Sequence, residues 1–243
     1  MSPSILITGA SAGIGRASAE AFLDASWTVG LFARREAALA DLAAGRANAV
    51  VLPGDVTRPG DVDRAVADFA ARAGRLDVLF NNAGIFTRAA PIDEVPLDDW
   101  QRALDVNLTG MFLMARAAFG QMRRQTPQGG RIINNGSISA HVPRPGSITY
   151  TATKHAITGL TKTLSLDGRA FSIACGQIDI GNARTDLLAD VAAQAEARGE
   201  APPPTMDVAD VARAVLSMAS LPPEANVQFM TLMATTMPYI GRG

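Results

Sequence analysis

The chain has 243 residues, 48% of them hydrophobic and 19% charged, with a formal net charge of -1. That length buries a sizeable core without covalent staples, and the near-neutral balance gives no electrostatic basis for binding nucleic acid or an anionic membrane surface. A single cysteine, Cys175, excludes an internal disulfide, and with only His141 and His155 beside it there is no metal-ligand cluster.

The opening apolar run Ile5-Leu6-Ile7 is too short for a signal peptide, and a glycine-rich turn follows at once. The longest greasy stretch, 108–119, is interrupted by Arg116. It falls short of the roughly 20 residues that a membrane span needs. The expectation is a soluble, cytoplasmic protein. Apolar runs at 5–8, 28–32, 49–52, 76–80, 131–134, 171–175 and 227–231 read as strands. Amphipathic stretches rich in Ala, Leu, Arg and Glu, such as 16–24, 37–43 and 62–71, read as helices between them. Such alternation predicts a mostly parallel sheet covered by helices on both faces. Right-handed crossovers make it a doubly wound Rossmann-type α/β fold. No linker divides the chain, so 1–243 is read as one domain. The segment 186–204 breaks the rhythm with alanines, Gly199 and the run Pro202-Pro203-Pro204. A substrate flap and an ordinary surface insertion both account for it.

The turn Thr8-Gly9-Ala10-Ser11-Ala12-Gly13-Ile14-Gly15 sits between the first strand and the first helix. Glycines there allow a tight turn and close approach of a pyrophosphate, and the helix N-terminus offers free N–H groups. A structural turn is the plainer alternative. The second strand ends Phe32-Ala33-Arg34-Arg35. No carboxylate stands there to accept from a ribose 2′-hydroxyl, and two guanidiniums suit a 2′-phosphate. They also suit the solvated start of a helix.

Tyr150 and Lys154 lie at i and i+4 on one helical face, and the chain has only two tyrosines. A free phenol titrates near about 10, too high for efficient proton transfer at neutrality, and an adjacent ammonium favours the phenolate. Ser137 follows the strand 131–134 and so stands at a carboxyl end, where ligands bind in open α/β sheets. Asn135 and the loop residue His141 are each open to a role in the site or to none. Cys175 reads as a small buried residue of an apolar strand.

Together these residues resemble the short-chain dehydrogenases/reductases over nearly the whole chain. The turn 8–15 is similar to that family's Thr-Gly-x-x-x-Gly-x-Gly motif. Asp55-Val56 resembles its adenine-side pair, Asn81-Asn82-Ala83-Gly84 its Asn-Asn-Ala-Gly motif, and Asn107 its helix asparagine. Ser137 with Tyr150 and Lys154 resembles its Ser and Tyr-x-x-x-Lys. The resemblance implies Tyr150 as general acid in reduction and base in oxidation. Lys154 would lower its pKa and hold the nicotinamide ribose, Ser137 would polarise the carbonyl, and Asn107 would hold a proton-relay water. It further implies dinucleotide contacts from Gly9, Ser11, Gly13, Ile14, Gly15, Arg34, Arg35, Asp55, Val56, Asn82, Ala83, Gly84, Tyr150, Lys154, Gly181, Ala183 and Thr185.

One motif departs. Where the family shows Pro-Gly before a threonine, this chain has Ile180-Gly181-Asn182-Ala183-Arg184-Thr185, preceded by an unusual Cys175-Gly176-Gln177-Ile178-Asp179. The expected cofactor is NADP(H) rather than NAD(H), because Ala33 stands where NAD-binding members carry an acid. The expected partner is a small carbonyl or alcohol substrate, in a homo-oligomer, dimer or tetramer, joined through 107–122 and 150–166. A catalytically silent dinucleotide sensor on the same fold is the alternative, and an epimerase or dehydratase a lesser one. Tyr150, Lys154, Ser137 and Asn107 together favour the enzyme.

Overall fold

Short buried strands and amphipathic helices alternate as the sequence predicts. The computed structural model describes residues 2–185, 199 and 201–240. In chain order the elements are β1 (Ser4–Thr8), α1 (Gly13–Asp24), β2 (Thr28–Ala33), α2 (Glu36–Ala43), β3 (Ala49–Pro53), α3 (Pro59–Ala73) and β4 (Val78–Asn81). There follow α4 (Leu97–Leu104), a π-helical turn (Asp105–Gly110), α5 (Met111–Arg124), β5 (Gly130–Asn135), α6 (Ile148–Gly168), β6 (Ile173–Ile180), α7 (Val208–Ala219) and β7 (Phe229–Leu232).

The seven strands form one sheet in the order β3-β2-β1-β4-β5-β6-β7, and every pairing is parallel. Central strands buried on both faces need apolar residues throughout, and β1 is buried at every position. Alternate strand residues feed two cores. Ile5, Ile7, Phe80 and Ile133 pack with Phe22, Leu39 and Val211 of α1, α2 and α7. Leu6, Phe32, Leu79 and Ile132 pack with Phe69 and Met114 of α3 and α5. The order of strands reverses direction at β1 and β4, which opens a crevice above their carboxyl ends.

The sixth strand differs from the expected 171–175. Phe171 lies in a 3-10 turn and packs edge-on against Phe119 with centroids 6.0 Å apart, and β6 begins at Ile173. It then runs through Gln177 and Asp179 to Ile180, because both polar side chains find hydrogen-bond partners inside the fold. The fourth strand is displaced in the same sense: Leu76 hands its N–H to the Gln125 side chain, and β4 starts at Val78. Among the described residues no helix is long and apolar enough to cross a membrane. The segment 186–204 falls largely outside the described residues.

Candidate active site

The glycine turn is stitched to the end of β4 before any ligand is considered. Thr8 Oγ1 accepts from the backbone N–H groups of Asn82 and Ala83, each at 2.8 Å, and Asn82 Nδ2 donates to Thr8 O at 2.9 Å. Gly15 permits this closeness: a Cβ there would stand 2.3 Å from Gly9 O. Helix α1 starts directly after Ala12, whose side chain cannot cap it, so its first N–H groups are left to face the cleft. That is the arrangement a pyrophosphate requires.

At the end of β2, Arg35 reaches across to the turn. Its Nη2 donates to Ser11 O and to Ser11 Oγ, both at 3.1 Å. Arg34 lines the cleft beside it. Just after the next strand, Asp55 Oδ1 accepts from both N–H and Oγ1 of Thr57 at 2.9 Å, which holds the Asp55-Val56 turn in shape.

The cleft holds about 410 Å³. Every residue expected to contact cofactor or substrate lines it except Asn107. Gly181, Ala183 and Thr185 are among them, so the Ile180-Gly181 departure does not divert the backbone: β6 stays in register through Ile180, opposite Leu232.

Asn107 lies beneath the wall of the cleft, fully buried on the π-helical turn. Its Oδ1 accepts from Ile85 N–H at 2.7 Å, and its Nδ2 donates to Ile85 O at 2.9 Å. The side chain therefore braces the chain after β4 and leads it to Phe86.

Phe86 stacks on Tyr150 with centroids 4.1 Å apart and planes inclined by 21°. Tyr150 belongs to the first turn of α6, and Lys154 lies one turn on. Lys154 is buried; its Nζ donates to Asn135 O at 2.7 Å and sits 5.4 Å from the Tyr150 ring centroid. Ser137 follows β5 in extended conformation, and its Oγ accepts from Ser139 N–H at 3.1 Å.

Burial governs the titration of this group. It pushes the Tyr150 phenol up; the Ser137 hydroxyl and Arg144 pull it back, and the Asp179 carboxylate adds to the rise. Burial also pushes the Lys154 ammonium down to about 8, with Asp179 opposing. The low-dielectric surroundings outweigh the other influences. Cys175 is inert packing, its thiol pushed up to about 12 by burial.

The sequence left three contributors undecided or unseen. Asn135 belongs to the site: its Nδ2 donates to Asn82 Oδ1 at 2.8 Å while its carbonyl holds Lys154. His141 bonds Asp179, with Nε2 2.9 Å from Oδ2. Phe86 had no local signal, since its partner is far along the chain. His155 turns back to Thr151 O on the exposed side of α6.

A family model described as short chain dehydrogenase matches residues 3–196. The chain belongs to the short-chain dehydrogenases. It is 35% identical over 191 residues to L-fucose dehydrogenase of Oryctolagus cuniculus, covering 79% of this chain and 66% of that protein. To sulfoacetaldehyde reductase 2 of Chromohalobacter salexigens it is 31% identical, covering 97% and 95%. Among solved structures, the closed form of serine dehydrogenase complexed with NADP+ superposes with a TM-score of 0.89 at 26% identity, covering 99% and 98%. A 3-ketoacyl-(acyl-carrier-protein) reductase from Brucella melitensis complexed with NADH gives 0.85 at 25% identity, covering 95% and 96%. Membership makes this short-chain dehydrogenase an oxidoreductase of CH–OH and C=O groups that uses a nicotinamide dinucleotide.

Proposed function

We propose that the protein reduces a small carbonyl substrate with NADPH, with Tyr150 as general acid, and runs the reverse oxidation with Tyr150 as base. The observation that carries this is the meeting of Ser137, Tyr150 and Lys154 in the one cleft that also contains the glycine turn. The dinucleotide would rest its phosphates on the N–H groups of Gly13, Ile14 and Gly15, its adenosine by Asp55 and Val56, and its nicotinamide end by Gly181, Ala183 and Thr185. When bound it supplies or accepts the hydride.

The protein's residues do the rest. Ser139 N–H fills an acceptor site of Ser137 Oγ, which leaves the Ser137 proton to bond the substrate oxygen. The raised Tyr150 phenol stays protonated at neutrality, the form that donates in reduction. Lys154 is charged below about 8 and faces the phenol as it loses its proton. Asn107 and Phe86 hold the ring of Tyr150 in place through Ile85.

The preference for NADPH rests on Ala33, which presents no acid to repel a 2′-phosphate, and on Arg34 and Arg35 beside the Ser11 turn. Solved relatives hold either NADH or NADP+, and the preference proposed for this chain is argued from these side chains alone. Self-association is supported by exposed Phe112 on α5, Leu166 on α6 and Phe229 on the edge strand β7. The test is a panel of sugar, sulfonated-aldehyde and 3-oxoacyl-thioester substrates assayed by loss of NADPH absorbance. Turnover of at least one supports the reading, and tight NADPH binding with no turnover at all supports the silent sensor instead.

A further inference from the structure

Asp179 is buried to 1% exposure, and no other carboxylate among the described residues is enclosed to that extent. It lies on β6 between Ile178 and Ile180, at a place where the sheet alone asks for nothing charged. A buried carboxylate is costly unless every oxygen is satisfied. Here both are. Oδ1 accepts from Ser137 N–H at 2.9 Å and from Gln177 Nε2 at 2.7 Å, and Oδ2 faces His141 Nε2 at 2.9 Å. The approach depends on Gly136, where a Cβ would collide with Oδ1.

These bonds converge on one short stretch of chain. Gly136 N–H donates to Ile178 O as the last rung between β5 and β6. One residue later the rung is supplied by a side chain, because Ser137 N–H goes to the Asp179 carboxylate. The chain then makes its 3-10 turn, Ile138–Ala140, and the next residue, His141, returns to the same carboxylate. One carboxylate therefore holds both ends of the loop that carries Ser137.

We propose that Asp179 and His141 form a clamp that positions Ser137 for proton and carbonyl chemistry; the inference rests on the reading of Ser137 given above. Asp179 is a positioning residue, acting through the Ser137 backbone. With its N–H held by Asp179 and its Oγ held by Ser139 N–H, Ser137 has one direction left for its proton, into the cleft. His141 closes the clamp from the solvent side, where its side chain is 41% exposed.

The test compares Asp179→Leu, Asp179→Asn and His141→Leu by kinetics and by amide hydrogen exchange over 137–141. His141 is exposed, so its variant keeps the fold. We expect kcat to fall about 100-fold in Asp179→Leu and about tenfold in His141→Leu, with NADPH affinity within about threefold. Asparagine keeps an acceptor for Ser137 N–H and should recover about tenfold of the loss in Asp179→Leu. Exchange at 137–141 should quicken in both leucine variants, whatever the substrate. Unchanged exchange in His141→Leu would overturn the clamp. So would a loss of kcat that appears only together with lost NADPH binding and lowered Tm. A wild type inert toward every carbonyl would defeat the functional reading, while exchange would still decide the clamp.

Discussion

Replacing Lys154 with methionine should remove activity and at the same time change how stability depends on pH. Lys154 is 2% exposed, and burial brings its ammonium from 10.5 to about 8. At about 1.4 kcal/mol per pH unit, holding that charge inside the fold at neutrality costs roughly 3 kcal/mol. Methionine removes the cost but leaves Asn135 O without its donor, which takes back about 1–3 kcal/mol. The variant should therefore be as stable as the wild type at pH 7, or up to about 2 kcal/mol more so. The pH dependence is the sharper measure. A lysine with a depressed folded pKa contributes stability that is greatest above its unfolded value and is lost as pH falls through about 8. Between about pH 7 and pH 9.5, the wild type should gain roughly 2 kcal/mol on Lys154→Met. Urea denaturation of both proteins at the two pH values yields this double difference, from which other titrating groups cancel. A gap that stays constant within about 0.5 kcal/mol would refute the assignment of a neutralising, buried Lys154.

Three further outcomes follow from other parts of the molecule. Ala33→Asp should turn the cofactor ratio toward NADH by roughly tenfold or more, and Arg34→Ala should weaken NADPH alone; kcat/KM with both cofactors measures each, and an unchanged ratio in Ala33→Asp refutes the reading of the β2 end. Arg131 is buried and donates to Leu221 O, Pro222 O, Ala225 O and Asn226 Oδ1, so Arg131→Met should cost about 3 kcal/mol in denaturant unfolding by orphaning the loop after α7. Light scattering at micromolar concentration should show an oligomer, and Phe112→Glu with Leu166→Glu should shift it toward monomer.

Strands buried on both faces were legible because continuous apolar runs leave few other readings, and β1 and β2 are cases of this. The sixth strand was legible only in its first part. Gln177 and Asp179 look unlike strand-core residues until Thr161, Ser137 and His141 supply their partners, and those lie far off in sequence. The same distinction runs through the site. The glycine turn and the Tyr150–Lys154 pair are local spacings, and a helix or turn expresses them directly. The Phe86 stack, the Asn135 carbonyl under Lys154 and the Asp179 clamp are contacts across the sheet, where no local pattern announces them. Asn107 was found from its motif, yet its work of bracing Ile85 became visible only in the fold.

The central claim is that Tyr150 moves the proton, and Tyr150→Phe tests it most directly. Phenylalanine keeps the stack on Phe86 and removes only the hydroxyl. On a substrate that the wild type reduces, kcat should fall by at least about 100-fold while NADPH affinity stays within about threefold. A Tyr150→Phe enzyme that turns over at the wild-type rate would contradict the account.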